Sequence, residues 1–413
     1  MHIPPALKHR KYFLLWLGLL VSIAGSQMQI AAIHWHIREL TGEPNPLALG
    51  GIGLARILPV VALSVVGGAV ADNYNRRRII FITQSILTLQ ALTLAYLTFT
   101  NQITIWHIYL LTAIQAAVMA FDLPARQSLV PNLVSREHLP SAFSLNTIAF
   151  NTGAIVGPLL FALVPENGQG YAYLLNAISF LAVLLALWLM GSVEQDLKKA
   201  GGVNLGSIVD GVRFITAQPL ILSTMLMDFV ATFFASANTM LPIVARDILN
   251  VGKTGFAWLT SAEAIGSVTA GVVVSQVREL RKQGTIFMAS VAVFGAATVW
   301  FGLSKSFGFA MIALFIVGVG DAVSTVIRNT IRNLQTPDHI RGRMTSINQI
   351  FFSGGPQLGE VEAGVVATLF SVPFAIVSGG IGCILGMLLI VWKWPQLAAY
   401  DGNDPSTVAA SAD

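Results

Sequence analysis

An all-α integral membrane protein, with twelve transmembrane helices in two six-helix bundles related as parallel repeats, is the fold class that the sequence predicts. Three observations carry it. Hydrophobic residues fill 54% of the 413 positions and charged residues only 11%, far from the balance of a soluble domain. The apolar residues gather into twelve runs, each near the roughly 20 residues that cross a bilayer. The lysines and arginines crowd into alternate loops. Twelve spans leave no room for a sizeable soluble domain. The 37 glycines suit close approach of helices in lipid. The single cysteine, Cys383, excludes an intrachain disulfide and a thiolate metal site.

The runs cover 12–37, 47–71, 79–100, 103–123, 141–164, 171–193, 220–244, 255–277, 286–303, 307–331, 344–370 and 372–394. All are too continuously apolar for barrel strands, so helices are expected. The basic stretch before the first run resembles the start of a signal peptide. The run behind it is too long for one, so a retained first helix is expected. With the N-terminus inside, 19 of the 24 Lys and Arg fall in cytoplasmic loops, four fall outside (Arg38, Arg246, Lys253 and Lys305), and Arg56 lies within a span. A missed helix would invert every later loop and spoil this division. Both termini are therefore expected in the cytoplasm.

The chain repeats itself. Residues 144–153 read SLNTIAFNTG and 346–355 read SINQIFFSGG, an offset of 202, and Arg126 matches Arg328 at the same offset. Six spans return a chain to its starting side, so the halves share one orientation. The expected organisation is a first bundle over 1–193, a cytoplasmic linker over 194–219, a second bundle over 220–394 and a disordered tail over 395–413. Residues 205–215 of the linker read as a short amphipathic helix on the membrane surface.

Between spans two and three, residues 68–77 read GAVADNYNRR. This resembles the Gly-x-Leu-Ala-Asp-Arg-x-Gly-Arg-Arg signature of the major facilitator superfamily. Gly68, Ala71, Asp72, Arg76 and Arg77 keep the pattern, and Asn73 and Asn75 depart from it. Residues 122–131 with Gly157-Pro158, and 337–343 with Gly355-Pro356, resemble the branch of bacterial exporters that handles enterobactin and macrolides. The resemblance implies alternating access in a bacterial inner membrane, with spans one, four, seven and ten lining a cavity. It also implies that span two meets span eleven and span five meets span eight. By the same resemblance, Gly68, Asp72, Arg76 and Arg77, with Arg341 and Arg343 at the start of span eleven, form an inner gate. A carboxylate there is drawn to the positive end of a helix.

Ionisable side chains at bilayer depth are costly and mark function. Arg56 stands 16 residues before Asp72, and Glu360 stands 17 after Arg343, so both lie about 24 Å along their helices. If spans two and eleven touch, Arg56 pairs with Glu360 or Glu362 as an outer gate. Asp228 and Asp321, on spans assigned to the cavity, and Glu263 on span eight are the candidate proton carriers. Desolvation favours a carboxyl's neutral form, so such a group loads and releases protons as water access changes. Asp122, four residues before Arg126, reads as a brace for the end of span four. Ser22, Ser26 and Gln29 share one face of span one. With Gln115, Asn151, Thr232 and Thr325 they are candidate cavity-lining groups or interhelical hydrogen bonders. His34 and His36, two apart, do not share a helix face, so no metal site is expected.

The expected function is a secondary active exporter of an amphiphilic small molecule, a siderophore or drug-like compound, driven by proton antiport. A uniporter or importer of the same fold is the alternative, and a polytopic membrane enzyme a remote one. No phosphate-binding Gly-x4-Gly-Lys-Ser/Thr loop, His-Glu-x-x-His or Gly-x-Ser-x-Gly is present. The basic residues are dispersed among apolar runs, against nucleic-acid binding. The expected partners are substrate, protons and lipid, with no cofactor, for a monomer.

Overall fold

The computed structural model describes residues 4–193, 195, 213–277, 281–336 and 338–402, and every regular element among them is helical. Twelve long helices follow in chain order. The first six are α1 (Arg10–Leu40), α2 (Pro46–Asn73), α3 (Arg76–Phe99), α4 (Ile105–Leu129), α5 (Leu139–Leu163) and α6 (Gln169–Met190). The others are α7 (Pro219–Phe234), α8 (Gly252–Ser275), α9 (Gln283–Leu303), α10 (Phe307–Gln335), α11 (Asp338–Leu369) and α12 (Val372–Lys393). Eleven helices of the described residues are long and apolar enough to cross a membrane. The twelfth, α11, has 32 residues, about 48 Å of helix, and carries Glu360 and Glu362 along its length. The surface helix expected within 205–215 lies almost wholly outside the described residues, as does most of the expected tail. The side chains of Arg341 and Arg343 lie outside the described ones too.

Polar residues at the run edges set several helix starts. The Asn75 side chain accepts from the Arg78 backbone N–H at 3.1 Å and caps α3. One departure from the superfamily signature thus has a local task. Thr104 and His107 form a reciprocal capping box on α4, and Ser371 caps α12 through Phe374 N–H at 3.2 Å.

Contacts divide the chain into two units. The first comprises Met1–Pro44, Leu54–Val203 and Gly252–Ser261; the second comprises Asn45–Gly53, Asn204–Val251 and Ala262–Asp413. In the first, α1 packs on α5 and α6, and α3 on α4 and α6. Its core gathers Tyr12, Leu15, Ile80, Leu129 and Leu187. In the second, α9 packs on α10 and α12, and α7 on α11 and α12, around Phe287, Val291, Ile327 and Cys383.

The sequence repeat reappears as a packing repeat. A β-carbon on Gly153 would meet Ile23 and Ala24 of α1; one on its counterpart Gly355 would meet Thr232 and Phe229 of α7. Four residues on, Gly157 faces Ala24, Gln27 and Met28, while Gly359 faces Phe233 and Ser236. In both units a glycine pair one turn apart lets two backbones approach where lipid supplies no hydrophobic drive.

The structure departs from the sequence reading in three places, one of them the start of the expected disordered tail, where Gln396–Ala399 form a helical turn and Leu397 is fully buried in the core of the second unit. The run 220–244 reads as one helix, but α7 stops at Phe234. It is followed by a 3-10 turn at Ala237–Met240, a single turn at Leu241–Ile243 and a π turn at Val244–Ile248. Pro242 has no N–H and its ring would strike the carbonyl four residues back, so it begins a new helical turn rather than continuing the old one. Third, Arg328 and Arg332, counted among loop charges, are 2% and 3% exposed on α10, which runs on to Gln335.

Candidate functional site

In the second unit, α7 and α10 bring together a charged cluster within spanning helices. Arg328 Nη1 lies 2.7 Å from Asp228 Oδ1 and 3.8 Å from Asp321 Oδ1. It also donates to Ser324 Oγ at 3.2 Å. The two acids differ in access: Asp228 is 1% exposed, whereas Asp321 is 39% exposed. Arg332, one turn on, donates to the Arg328 carbonyl at 3.1 Å, to Asn329 at 2.6 Å and to Asn348 of α11. A buried guanidinium is tolerable only with such a full set of acceptors. On α8, Glu263 accepts from Asn238 Nδ2 at 2.6 Å. The Thr232 hydroxyl turns back to the Asp228 carbonyl at 2.7 Å. Thr325 is half-buried on α10. The break after α7 puts Thr239 in a separate turn from Asp228 and Thr232.

The first unit resolves the same repeat position differently. Arg126, the counterpart of Arg328, pairs with Asp122 one turn earlier on its own helix. Asp122 is fully buried and accepts from Thr83 Oγ1 at 2.5 Å and Gln84 Nε2 at 3.1 Å on α3. Position 324, the counterpart of Asp122 at the same offset, is a serine. The nearest carboxylate to Arg328 therefore comes from α7, with Asp321 of its own helix as the more distant second. One half locks its arginine locally, while the other shares it among two acids.

An amide cluster joins four helices of the first unit. Gln29 of α1 donates to Gln90 of α3 at 3.3 Å and to Gln115 of α4 at 3.4 Å, and it accepts from Asn176 of α6 at 2.8 Å. Gln29 and Asn176 are fully buried and Gln90 is 3% exposed. Ser22 is buried on α1, while Ser26 and Asn151 are half-buried. His36 shares a 3.0 Å hydrogen bond with the Tyr173 hydroxyl.

At the end bearing the basic loops, Arg76 donates to the Ser128 carbonyl at 3.1 Å and Asn132 Oδ1 at 2.8 Å. Arg77 donates to the Leu187 carbonyl at 3.0 and 2.7 Å. These guanidinia thus cap the C-terminal ends of α4 and α6, where the helix dipole favours cations. Asp72 is exposed, and a β-carbon on Gly68 would meet no atom within 4 Å. A cavity of about 470 Å³ opens on the same stretch of α2, lined by Val66, Ala69, Val70, Asn73 and Tyr74. Arg56 is half-buried in the first unit; Glu360 and Glu362 are half-buried on α11 in the second. There, Gly53 packs against the Gln357 carbonyl and Glu360.

Sequence reasoning did not single out Gln90, Asn176, Thr83, Gln84 or Arg332. Amides inside apolar runs were the available signal, since each needs a partner in lipid.

A family model described as a transmembrane secretion effector matches residues 4–409. The chain is 23% identical over 368 residues to the enterobactin exporter EntS of Escherichia coli O1:K1, covering 87% of each. It is 24% identical, with the same coverage, to EntS of Escherichia coli O127:H6. Among solved structures it is similar to a POT family transporter in complex with a thioalcohol-conjugated peptide, with a TM-score of 0.77, 12% identity, and coverage of 96% of this chain and 99% of that one. It is also similar to a bacterial homologue of the human lysosomal transporter Spinster in an inward-facing, unoccupied conformation, with a TM-score of 0.70, 14% identity and 96% of each chain covered. At these identities the structural likeness carries the fold alone.

Proposed function

The chain belongs to the transmembrane secretion effector family, within the major facilitator superfamily of membrane transporters, and on that premise we propose that it exports an amphiphilic small molecule by proton antiport. The bacterial inner membrane is the proposed location, with both termini in the cytoplasm, following the loop charges and the bacterial relatives. The observation that carries the coupling is the unequal sharing of Arg328. One of its acids is sealed and the other is open, both on membrane-spanning helices.

The physical logic is a competition for one guanidinium. When Asp321 is ionised, it draws on Arg328 and loosens the α7–α10 tie through Asp228. When Asp321 takes a proton from the accessible space, Arg328 returns wholly to Asp228. An acid that exchanges protons at an open position and reports its state through a buried ion pair has both parts of a coupling device. The export direction and a siderophore-like or drug-like substrate rest on the relatives and the family description.

The test is transport by purified protein in proteoliposomes under an imposed pH gradient, read with a panel of amphiphiles that includes catecholate siderophores and lipophilic dyes. Accumulation that follows the gradient and collapses with a protonophore is the expected result. Equilibration indifferent to the gradient would replace antiport with uniport. Transport of several unrelated dyes would select drug efflux over a dedicated siderophore route.

A further inference from the structure

In each half of the chain, the segment after the sixth helix folds back onto the third helix of the same half. In the first half, Gln195 lies past the end of α6. Its Oε1 accepts from the Arg76 backbone N–H at 3.0 Å and its Nε2 donates to Asn75 Oδ1 at 3.4 Å, at the start of α3. In the second half, the segment after α12 does the same at the start of α9, through more contacts.

There, Gln396–Ala399 form a helical turn that packs on α7, α9 and α12. Leu397 is fully buried and Tyr400 is 9% exposed, and both belong to the core that holds Phe287 and Ile390. A helix leaves its first N–H groups without partners of its own. No side chain next to α9 in sequence caps it, and its N-cap residue, Lys282, is left-handed at φ 55°, a backbone that a β-carbon disfavours. The returning segment supplies what is missing. Asp401 Oδ1 accepts from the Lys282 backbone N–H at 2.6 Å, and the Tyr400 carbonyl accepts from the Gly284 N–H at 2.8 Å. A carboxylate at this place also meets the positive end of the helix dipole. The fit requires glycine at 284, because a β-carbon there would run into the Leu397 carbonyl.

We infer that residues 395–402 are a strap that caps α9 in place of a local side chain, so that its docking sets where α9 begins and how the loop after α8 is held. The two hydrogen bonds and the two buried side chains sit on one eight-residue stretch, so they engage and release as one cooperative unit. With the strap away, the Lys282 and Gly284 N–H groups lose these acceptors. Nothing else then holds Lys282 in its left-handed conformation, and the first turn of α9 opens. The strap acts within the second unit and involves none of the groups assigned to proton coupling.

The test needs neither substrate nor gradient, so its failure and that of the transport reading are distinguishable. Hydrogen exchange of the backbone amides at 282–286 is followed by mass spectrometry in detergent. A chain ended at Pro395 is expected to exchange there about tenfold faster or more, and a chain ended at Gly402, which keeps every contact named, to match the parent. Gly284→Ala keeps the full chain but pushes its new carbon onto the Leu397 carbonyl, and a rise of about tenfold is expected although alanine is the better helix former. Asp401→Ala is expected to raise the rate about fivefold, the usual effect of a lost N-cap, and Asp401→Asn only about twofold because its amide oxygen still accepts. The first turns of α3 and of α12 serve as references and are expected to stay within about twofold. An unchanged rate at 282–286 in Gly284→Ala and Asp401→Ala would overturn the inference, whether or not the chain ended at Pro395 folds. So would an equal rise at the two reference turns, which would mean general loosening instead of a lost cap.

Discussion

Asp228→Asn is expected to destabilise the protein more than any other single change in the charged cluster. The substitution keeps the side chain's shape but removes the charge 2.7 Å from a guanidinium that is 2% exposed. Arg328 then has only neutral acceptors close by, the Asn amide oxygen and Ser324 at 3.2 Å, with Asp321 as the more distant charge. Removing one partner of a buried ion pair costs about 3–5 kcal/mol, because the other charge stays out of water. In a two-hundred-residue folding unit that is a fall of about 10 °C in apparent Tm. The double variant Asp228→Asn/Arg328→Gln removes both charges and is expected to recover most of the loss. Thermal unfolding of the purified proteins, followed by light scattering or tryptophan fluorescence, reads the difference. A single variant as stable as the parent would show that the pair contributes nothing to the fold of the second unit.

The second large effect is expected at the glycine pairs. Gly359→Val forces a branched side chain onto the Phe233 carbonyl, with the Ser236 β-carbon 2.8 Å from its own. Backbone cannot rotate away as a flexible side chain would. The cost is at or above the upper end of the roughly 1–3 kcal/mol typical of overpacking. Gly157→Val, at the matching place in the first unit, meets Ala24 and Met28 backbone at 2.8 Å and is expected to behave alike. Gly271→Ala is the contrast. No atom lies within 4 Å of its added carbon, and alanine favours helix over glycine by about 0.5–1 kcal/mol. The yield of monodisperse protein is expected to fall sharply for both valine variants and to hold or rise for Gly271→Ala. Equal yields across the three would dismiss the packing repeat as a determinant of stability.

The twelve helices were legible because a spanning segment must be long, apolar and continuous, and those properties are written in composition along the chain. The parallel repeat was legible from a ten-residue stretch with five identities, and the structure gives its closing glycines, Gly153 and Gly355, matching neighbours in each half. The interruption after Phe234 was not legible as a break, since Ala235 to Val244 carries no charge and Pro242 is its one helix breaker. The burial of Arg328 and Arg332 was hidden by the rule that places arginines in loops. That rule holds for charges without partners, and the partner of Arg328 sits 100 positions earlier in the sequence, at Asp228. Gln29 and Gln115 were visible as polar residues in apolar runs, but Gln90 and Asn176, which meet Gln29 from α3 and α6, come together only through the fold. The strap on α9 was the hardest to foresee. The Tyr400 carbonyl and the Gly284 N–H that it meets are main-chain groups, which leave no letter in the sequence.

The coupling claim is tested most directly by comparing two modes of transport in proteoliposomes bearing Asp321→Asn. Exchange of labelled for unlabelled substrate without a gradient needs only the conformational cycle. Uphill accumulation needs the proton step as well. The variant keeps the Asp228–Arg328 pair, so exchange is expected to run within about twofold of the parent while accumulation under a pH gradient drops by about tenfold or more. Full gradient-driven accumulation by Asp321→Asn would contradict the account.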